Sequence, residues 1–263
     1  MEFLNEYPFS ERLIVDSHAH YDDERFEDER ETLLTALPGA GVAAAITCGC
    51  DGESSLAAKA LAEQFDYLFF AAGVHPENRG NHTDLSEIEL LAAHPKCVAI
   101  GEIGLDYYWD PDHKEDQKAW FEAQLRLANR LDLPVIVHDR EAHADTLALL
   151  KKHHPRGVVH SFSGSPEMAE QVFRLGMYIG IGGVITFQNA RRLPEVVLSM
   201  PLDRFLLETD APYMAPVPFR GKTNHSGLIL LTARKIAELR GISTEEVLRA
   251  AKRNTEECFG IEV

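Results

Sequence analysis

Four histidines and two carboxylates sit just past the ends of short apolar runs in this chain, and together they fit hydrolytic chemistry on a pair of divalent cations. The first run, Ile14-Val15-Asp16, leads into Ser17-His18-Ala19-His20. Side chains two apart on a strand point the same way, so two imidazoles can close on one cation where the strand enters its loop. A His-x-His by itself fits a surface pair equally well, and its company decides. Val98-Ala99-Ile100-Gly101 runs into Glu102, Val135-Ile136-Val137 into His138, Val158-Val159 into His160, and Phe205-Leu206-Leu207 into Glu208-Thr209-Asp210. Ionisable groups are costly to bury unless paired or bound to metal. A core-histidine reading would have to be repeated at the same end of run after run, whereas a shared cation site accounts for all of them.

Positioning such a set requires strands whose ends converge. Apolar, β-branched runs bounded by turn residues read as buried parallel strands with helices on both faces. Strands are expected at 13–16, 43–48, 68–73, 98–102, 135–138, 158–160, 178–182 and 205–208. Helical patterns separate them. Trp120, Phe121, Gln124, Leu125, Ala128 and Leu131 recur at the helical period. Residues 86–93 and 167–175 show similar patterns, with Ser165-Pro166 a natural start for the second. A last helix is expected from Ser243, with Glu246 completing a capping box. The fold class is α/β, a (β/α)8 TIM barrel, because polar residues gather at the carboxyl ends of many strands. An open doubly wound sheet would concentrate them at one switch point. At 263 residues and 45% hydrophobic, the chain suits a single barrel domain over 13–263 behind a short leader at 1–12.

Acidic residues outnumber basic ones 42 to 26, a formal net charge of −16. The excess lies largely in 22–31, 87–89 and 245–257, read as solvated helix faces. That balance excludes the broad basic surface of an extensive duplex binder, so an anionic substrate must be held locally. The polar leader carries no long apolar run, so neither a signal peptide nor a membrane span is expected. Cys48 and Cys97 lie in apolar runs and read as core. Cys50 lies near a strand end but is not counted as a ligand. No Cys-x-x-Cys spacing occurs, and the chain reads as a reduced, cytoplasmic protein.

Six motifs stand in order: Asp16-Ser17-His18-Ala19-His20, Gly73-Val74-His75-Pro76, Gly101-Glu102-Ile103-Gly104-Leu105-Asp106-Tyr107, Leu133-Pro134-Val135-Ile136-Val137-His138-Asp139-Arg140, His160-Ser161-Phe162-Ser163-Gly164 and Leu207-Glu208-Thr209-Asp210-Ala211-Pro212-Tyr213. This succession resembles the TatD family of metal-dependent deoxyribonucleases, within the amidohydrolase superfamily, over nearly the whole chain. The resemblance implies a TIM barrel, two divalent metal ions (zinc, manganese or magnesium) and phosphodiester hydrolysis. It assigns His18 and His20 to the first metal with Asp210 nearby, Glu102 to a bridge, and His138 and His160 to the second metal. A carboxylate can span two ions about 3.5–4 Å apart, which together activate water and stabilise attacking and leaving oxygens. Asp210 is then the general base or water-orienting group, and Glu208 a supporting carboxylate.

Substrate contacts are expected from His75, Tyr107, Arg140, Arg220 and Lys222. His75 is placed to reach substrate or a further metal. Arg140 offers a bidentate phosphate clamp, and Tyr107 a surface on which a base can stack. Arg220 and Lys222 belong to Arg220-Gly221-Lys222-Thr223-Asn224, after which the family carries an acidic or small residue and a proline. Here His225-Ser226-Gly227 follows, a departure expected to bear on substrate choice, with His225 an exposed loop residue. His82, His94, His113, His143, His153 and His154 read as surface. The expected partner is a nucleic-acid end or small phosphodiester, with no membrane and no obligate protein partner. The alternative on the same metal core is an amide or ester hydrolase, including D-aminoacyl-tRNA deacylase-like activity. A non-catalytic metal-stabilised binding protein is disfavoured because every expected ligand position is filled.

Overall fold

The apolar runs become eight parallel strands in sequence order: β1 (Ile14–Ala19), β2 (Val42–Cys48), β3 (Leu68–Ala72), β4 (Cys97–Asp106), β5 (Val135–Arg140), β6 (Gly157–Val159), β7 (Tyr178–Ile181) and β8 (Phe205–Leu207). The computed structural model describes residues 7–80 and 83–263. The leader's first six residues and the surface position His82 therefore lie outside the described residues. Helices α1 (Arg30–Ala36), α2 (Gly52–Gln64), α3 (Leu85–Ala92), α4 (Lys114–Leu131), α5 (His143–His153), α6 (Pro166–Arg174), α7 (Arg192–Ser199), α8 (Ile229–Arg240) and α9 (Thr244–Phe259) separate or follow the strands. The barrel expectation holds. None of these helices is long and apolar enough to cross a membrane.

Side-chain alternation sorts the strand residues into two cores. Val135, Val137, Val159, Phe205 and Leu207 join the large cluster that the helices cover. Ile136, Val158 and Leu206, at the opposite parity, join a smaller cluster with Ile46, Cys48 and Ala71. That is the barrel interior, and Phe259 at the end of α9 and Ile261 just after it complete it. Each inward column continues by two residues into a polar group: Ile136 to His138, Val158 to His160, Leu206 to Glu208.

The seam between β8 and β1 is stitched by few backbone contacts and one buried carboxylate. Ala19 bridges Ala211, and the Asp210 and His20 amides donate to the carbonyls of His18 and Ala211 at 2.9 and 2.7 Å. Asp16, fully buried, accepts from Thr209 N–H at 3.0 Å, Thr209 Oγ1 at 2.6 Å and Ser226 Oγ at 2.7 Å. Ser226 stands where the family's proline was expected. Its role in the seam gives the departure a structural meaning, and the serine's amide also donates to the Tyr21 hydroxyl at 3.0 Å.

β1, β4 and β5 run past their expected ends. β4 reaches Asp106 because it stays paired with β5 as far as Arg140, across Ile103↔Val137 and Gly104↔His138. A side chain at Gly104, whose φ is +148°, would sit 2.0 Å from the His138 carbonyl oxygen, so only glycine permits this pairing. The end of the leader is also ordered. Tyr7 donates to the Glu11 carbonyl at 2.7 Å and accepts from Leu13 N–H at 2.9 Å.

Candidate metal centre

Two of the six expected ligands sit beside register shifts. Between Asp16 and Ala19, and between Ile100 and Ile103, the bulged strand spends one residue more than its partner. Bulges re-aim side chains at the rims of barrels, and these two turn His18 and Glu102 into the mouth. The Glu102 amide is held by the Gly49 carbonyl at 2.9 Å.

Around Glu102 the histidines fall into two sets. Its Oε2 lies 3.3 Å from His18 Nε2 and 3.5 Å from His20 Nε2. Its Oε1 lies 2.7 Å from His160 Nε2 and 2.9 Å from His138 Nδ1, with His75 Nε2 at 3.7 Å. Asp210 Oδ1 reaches His18 Nε2 at 3.8 Å and His20 Nε2 at 3.6 Å. The structure thus brings His18, His20, Glu102, His138, His160 and Asp210 together, with His75 beside them.

The outer nitrogens decide which inner ones carry lone pairs. His20 Nδ1 faces the Cys48 carbonyl at 2.9 Å, an acceptor only, so Nδ1 bears the hydrogen and Nε2 is free to ligate. His138 Nε2 meets Asp106 Oδ2 at 3.0 Å, which leaves Nδ1 for the centre and makes Asp106 its orienting carboxylate. His18 Nδ1 has Cys48 Sγ at 3.4 Å, and Cys50 Sγ stands 3.8 Å from His20 Nδ1. His75 differs: its Nδ1 accepts the Glu77 amide at 3.2 Å, so a neutral ring points an Nε2–H donor at the cluster.

This donor set fits divalent cations. His18 and His20 present their Nε2 atoms 3.0 Å apart, as two nitrogens do around one ion bonded at about 2.0–2.1 Å. Among the described residues, groups of three such ligand atoms lie within 4.8 Å of one another, including His18-His20-Asp210 and His18-Glu102-His160. His18 and His160 stack with ring centroids 3.9 Å apart, a contact two imidazolium ions would resist. Burial opposes charge on Glu102, yet His160, His18 and His75 outweigh it and hold the carboxyl well below the usual carboxylate range. Burial likewise pulls His138 down, but hydrogen bonds to Asp106 and Glu102 lift it to about 10. The carboxylates demand positive charge that packed imidazoles supply poorly as protons.

Glu208 was expected to support the site, but other supporting residues come from places where chemistry was not legible. Two buried glutamines on α4 clamp the backbone of the site. Gln124 accepts from Val74 N–H at 2.7 Å and donates to its carbonyl at 2.9 Å, fixing the residue before His75. Gln117 does the same for Asp106, at 2.8 and 2.9 Å. Gln124 lies on the stripe read from the sequence, where a glutamine among apolar residues was the available signal. Glu208 is buried, accepts the Ser161 amide at 2.5 Å and lies 3.8 Å from His160 Nδ1. Its space depends on Gly180, where a Cβ would stand 2.0 Å from its Oε2.

Of the expected substrate contacts, His75 lies against the cluster, 3.7 Å from Glu102, and the others lie farther out. Arg140 lies at the mouth, with its guanidinium over the Tyr108 ring at 4.3 Å. Tyr107 is half-buried, its ring under Lys114 at 4.5 Å and its hydroxyl donating to Asp145 at 2.7 Å. Arg220 covers Phe187 at 4.5 Å, and Lys222 is exposed; neither lies within ion-pair distance of the cluster's carboxylates. His225 is half-buried rather than exposed, with Nδ1 lacking a hydrogen-bond partner among the described residues.

A nearly closed parallel barrel with this cluster at the carboxyl ends of its strands defines a metal-dependent barrel hydrolase. The sequence profile described as TatD related DNase matches residues 15–260, and the chain belongs to that family. The YabD protein of Bacillus subtilis, named an uncharacterized metal-dependent hydrolase, is 37% identical over 95% of this chain and 100% of its own. Escherichia coli YcfH, named likewise, is 36% identical over 95% and 97%. The crystal structure of Escherichia coli YjjV, described as a TatD homologue, superposes with a TM-score of 0.90 at 36% identity, covering 95% of this chain and 99% of that one. A TatD family hydrolase of Entamoeba histolytica shares the fold at a TM-score of 0.85 and 23% identity, over 95% and 98%.

Proposed function

We propose that this protein is a cytoplasmic phosphodiesterase that binds two divalent cations and shortens nucleic acids from an end. The observation that carries this reading is the division of Glu102: one oxygen serves His18 and His20, the other His138 and His160. Two bound cations would lower the pKa of a water and neutralise charge building on the phosphoryl oxygens. His18, His20 and Asp210 would hold one, His138 and His160 the other. Asp210 takes the water's proton, since its carboxylate faces this pocket and is 21% exposed. Burial works against ionisation of Asp210, but His20 and His18 outweigh it and keep the base charged. His75 donates from Nε2 toward the same space, and Arg140 is the cation at the mouth.

Attack at an end, rather than along a duplex, follows from the net charge of −16, which opposes long runs of phosphate contact. The four cysteines are free, which suits a reducing compartment. The test is to strip the protein of metal, reload it with zinc, manganese or magnesium, and assay end-labelled single strands, closed circles, a carboxylic ester and an aminoacyl-tRNA. Metal-dependent shortening of the strand with circles intact is expected. Hydrolysis of the ester or aminoacyl-tRNA without the strand would overturn it in favour of the carboxyl-ester alternative.

A further inference from the structure

The loop leaving β4 carries two aromatic side chains in solvent, Tyr108 at 55% and Trp109 at 61% exposure. Adjacent exposed aromatic rings beside a site proposed to handle nucleic acid offer faces on which a planar base can stack. Their rings meet edge to face at 4.8 Å, and Arg140 lies over both, 4.3 Å from the Tyr108 centroid and 5.4 Å from that of Trp109. The group is fastened to the metal centre by one carboxylate. Asp106 Oδ1 accepts the amides of Tyr108 and Trp109 at 2.9 and 2.8 Å, while its Oδ2 holds His138 at 3.0 Å. Arg140 is itself two residues beyond His138 on β5.

We propose that Tyr108, Trp109 and Arg140 form a stacking site for the terminal nucleobase of a single strand, placing the adjoining phosphodiester at the cluster. This rests on the phosphodiesterase reading above and adds what that reading lacks, a feature that grips the base. Aromatic faces and a flat guanidinium stack on any base, so the site selects an unpaired base without selecting its identity. Tyr107, the tyrosine expected from the sequence to stack, is one residue away and engaged with Lys114 and Asp145.

The test compares single-stranded oligonucleotides ending in a base or in an abasic sugar, cleaved by wild type and by the Tyr108→Ala/Trp109→Ala double variant. The kcat/KM ratio of base-ended to abasic-ended strand should fall about tenfold or more, as for loss of an aromatic stack, with KM carrying the change. The Tyr108→Phe/Trp109→Phe variant should restore it. An equal fall for both strands, or none, would overturn the site. If wild type cleaves neither strand, the phosphodiesterase reading fails and binding decides the stacking alone. Asp210→Asn protein is then titrated with a strand ending in 2-aminopurine, whose emission is quenched on stacking. Quenching that needs Tyr108 and Trp109 supports the site; no quenching with both rings present overturns it.

Discussion

The amide of Asp210 donates to the carbonyl of His18 at 2.9 Å, so the last carboxylate of the site hangs from its first histidine across the barrel seam. Asp210 holds a φ of +59°, a left-handed conformation that Asp and Asn tolerate better than most residues. The link fixes the Asp210 side chain beside both members of the His-x-His pair through backbone alone, and leaves its carboxylate free for chemistry.

Asp210→Asn should therefore keep the backbone link and the fold while removing the base. Turnover is expected to fall at least about a hundredfold, the lower range for losing a general base. Steady-state kinetics beside a thermal melt check this. Turnover within a few-fold of wild type would mean that Asp210 does not take the proton.

Glu102→Ala acts on both halves of the centre at once. Bound metal, measured by elemental analysis after dialysis, should drop sharply in this variant and be largely kept in Asp210→Asn. Equal loss in the two would erase the division between bridge and base.

How far the sequence carried depended on what each feature rests upon. Strand positions were legible because parallel strands buried on both faces read as continuous apolar runs, and the period of two within them places His138, His160 and Glu208 over Ile136, Val158 and Leu206. The bulges that aim His18 and Glu102 were not, since an extra residue in a ladder is defined by its partner strand. Gln117 and Gln124 were hard to read for a similar reason, and Asp106 was expected only to shape the pocket: each acts through a group distant along the chain or on another element. Tyr108 and Trp109 fell next to the tyrosine singled out, because exposure and ring partners are tertiary properties.

The seam offers a stability test remote from chemistry. Ser226→Ala removes the Ser226 donor from buried, charged Asp16 and should cost about 1–3 kcal/mol in urea denaturation. An unchanged midpoint would mean that solvent replaces the serine and that the departure from proline at this position carries no structural weight.

His225 gives a pH dependence whose sign can be worked out. Burial lowers its imidazole from 6.5 to about 4 in the folded chain. Between those values the unfolded chain takes up a proton that the folded chain refuses. The contribution to stability is present above pH 6.5 and is lost as pH falls toward 4. His225→Gln should therefore narrow the loss of melting temperature on acidification relative to wild type. Identical acid sensitivity in the two proteins would refute that contribution.

The division of the centre by Glu102 is tested most directly by anomalous diffraction from crystals grown with manganese. Two peaks about 3.5–4 Å apart are expected, one among His18, His20 and Asp210, the other beside His138 and His160, with Glu102 between them. A single peak shared by all the histidines, or manganese bound only elsewhere on the acidic surface, would contradict it.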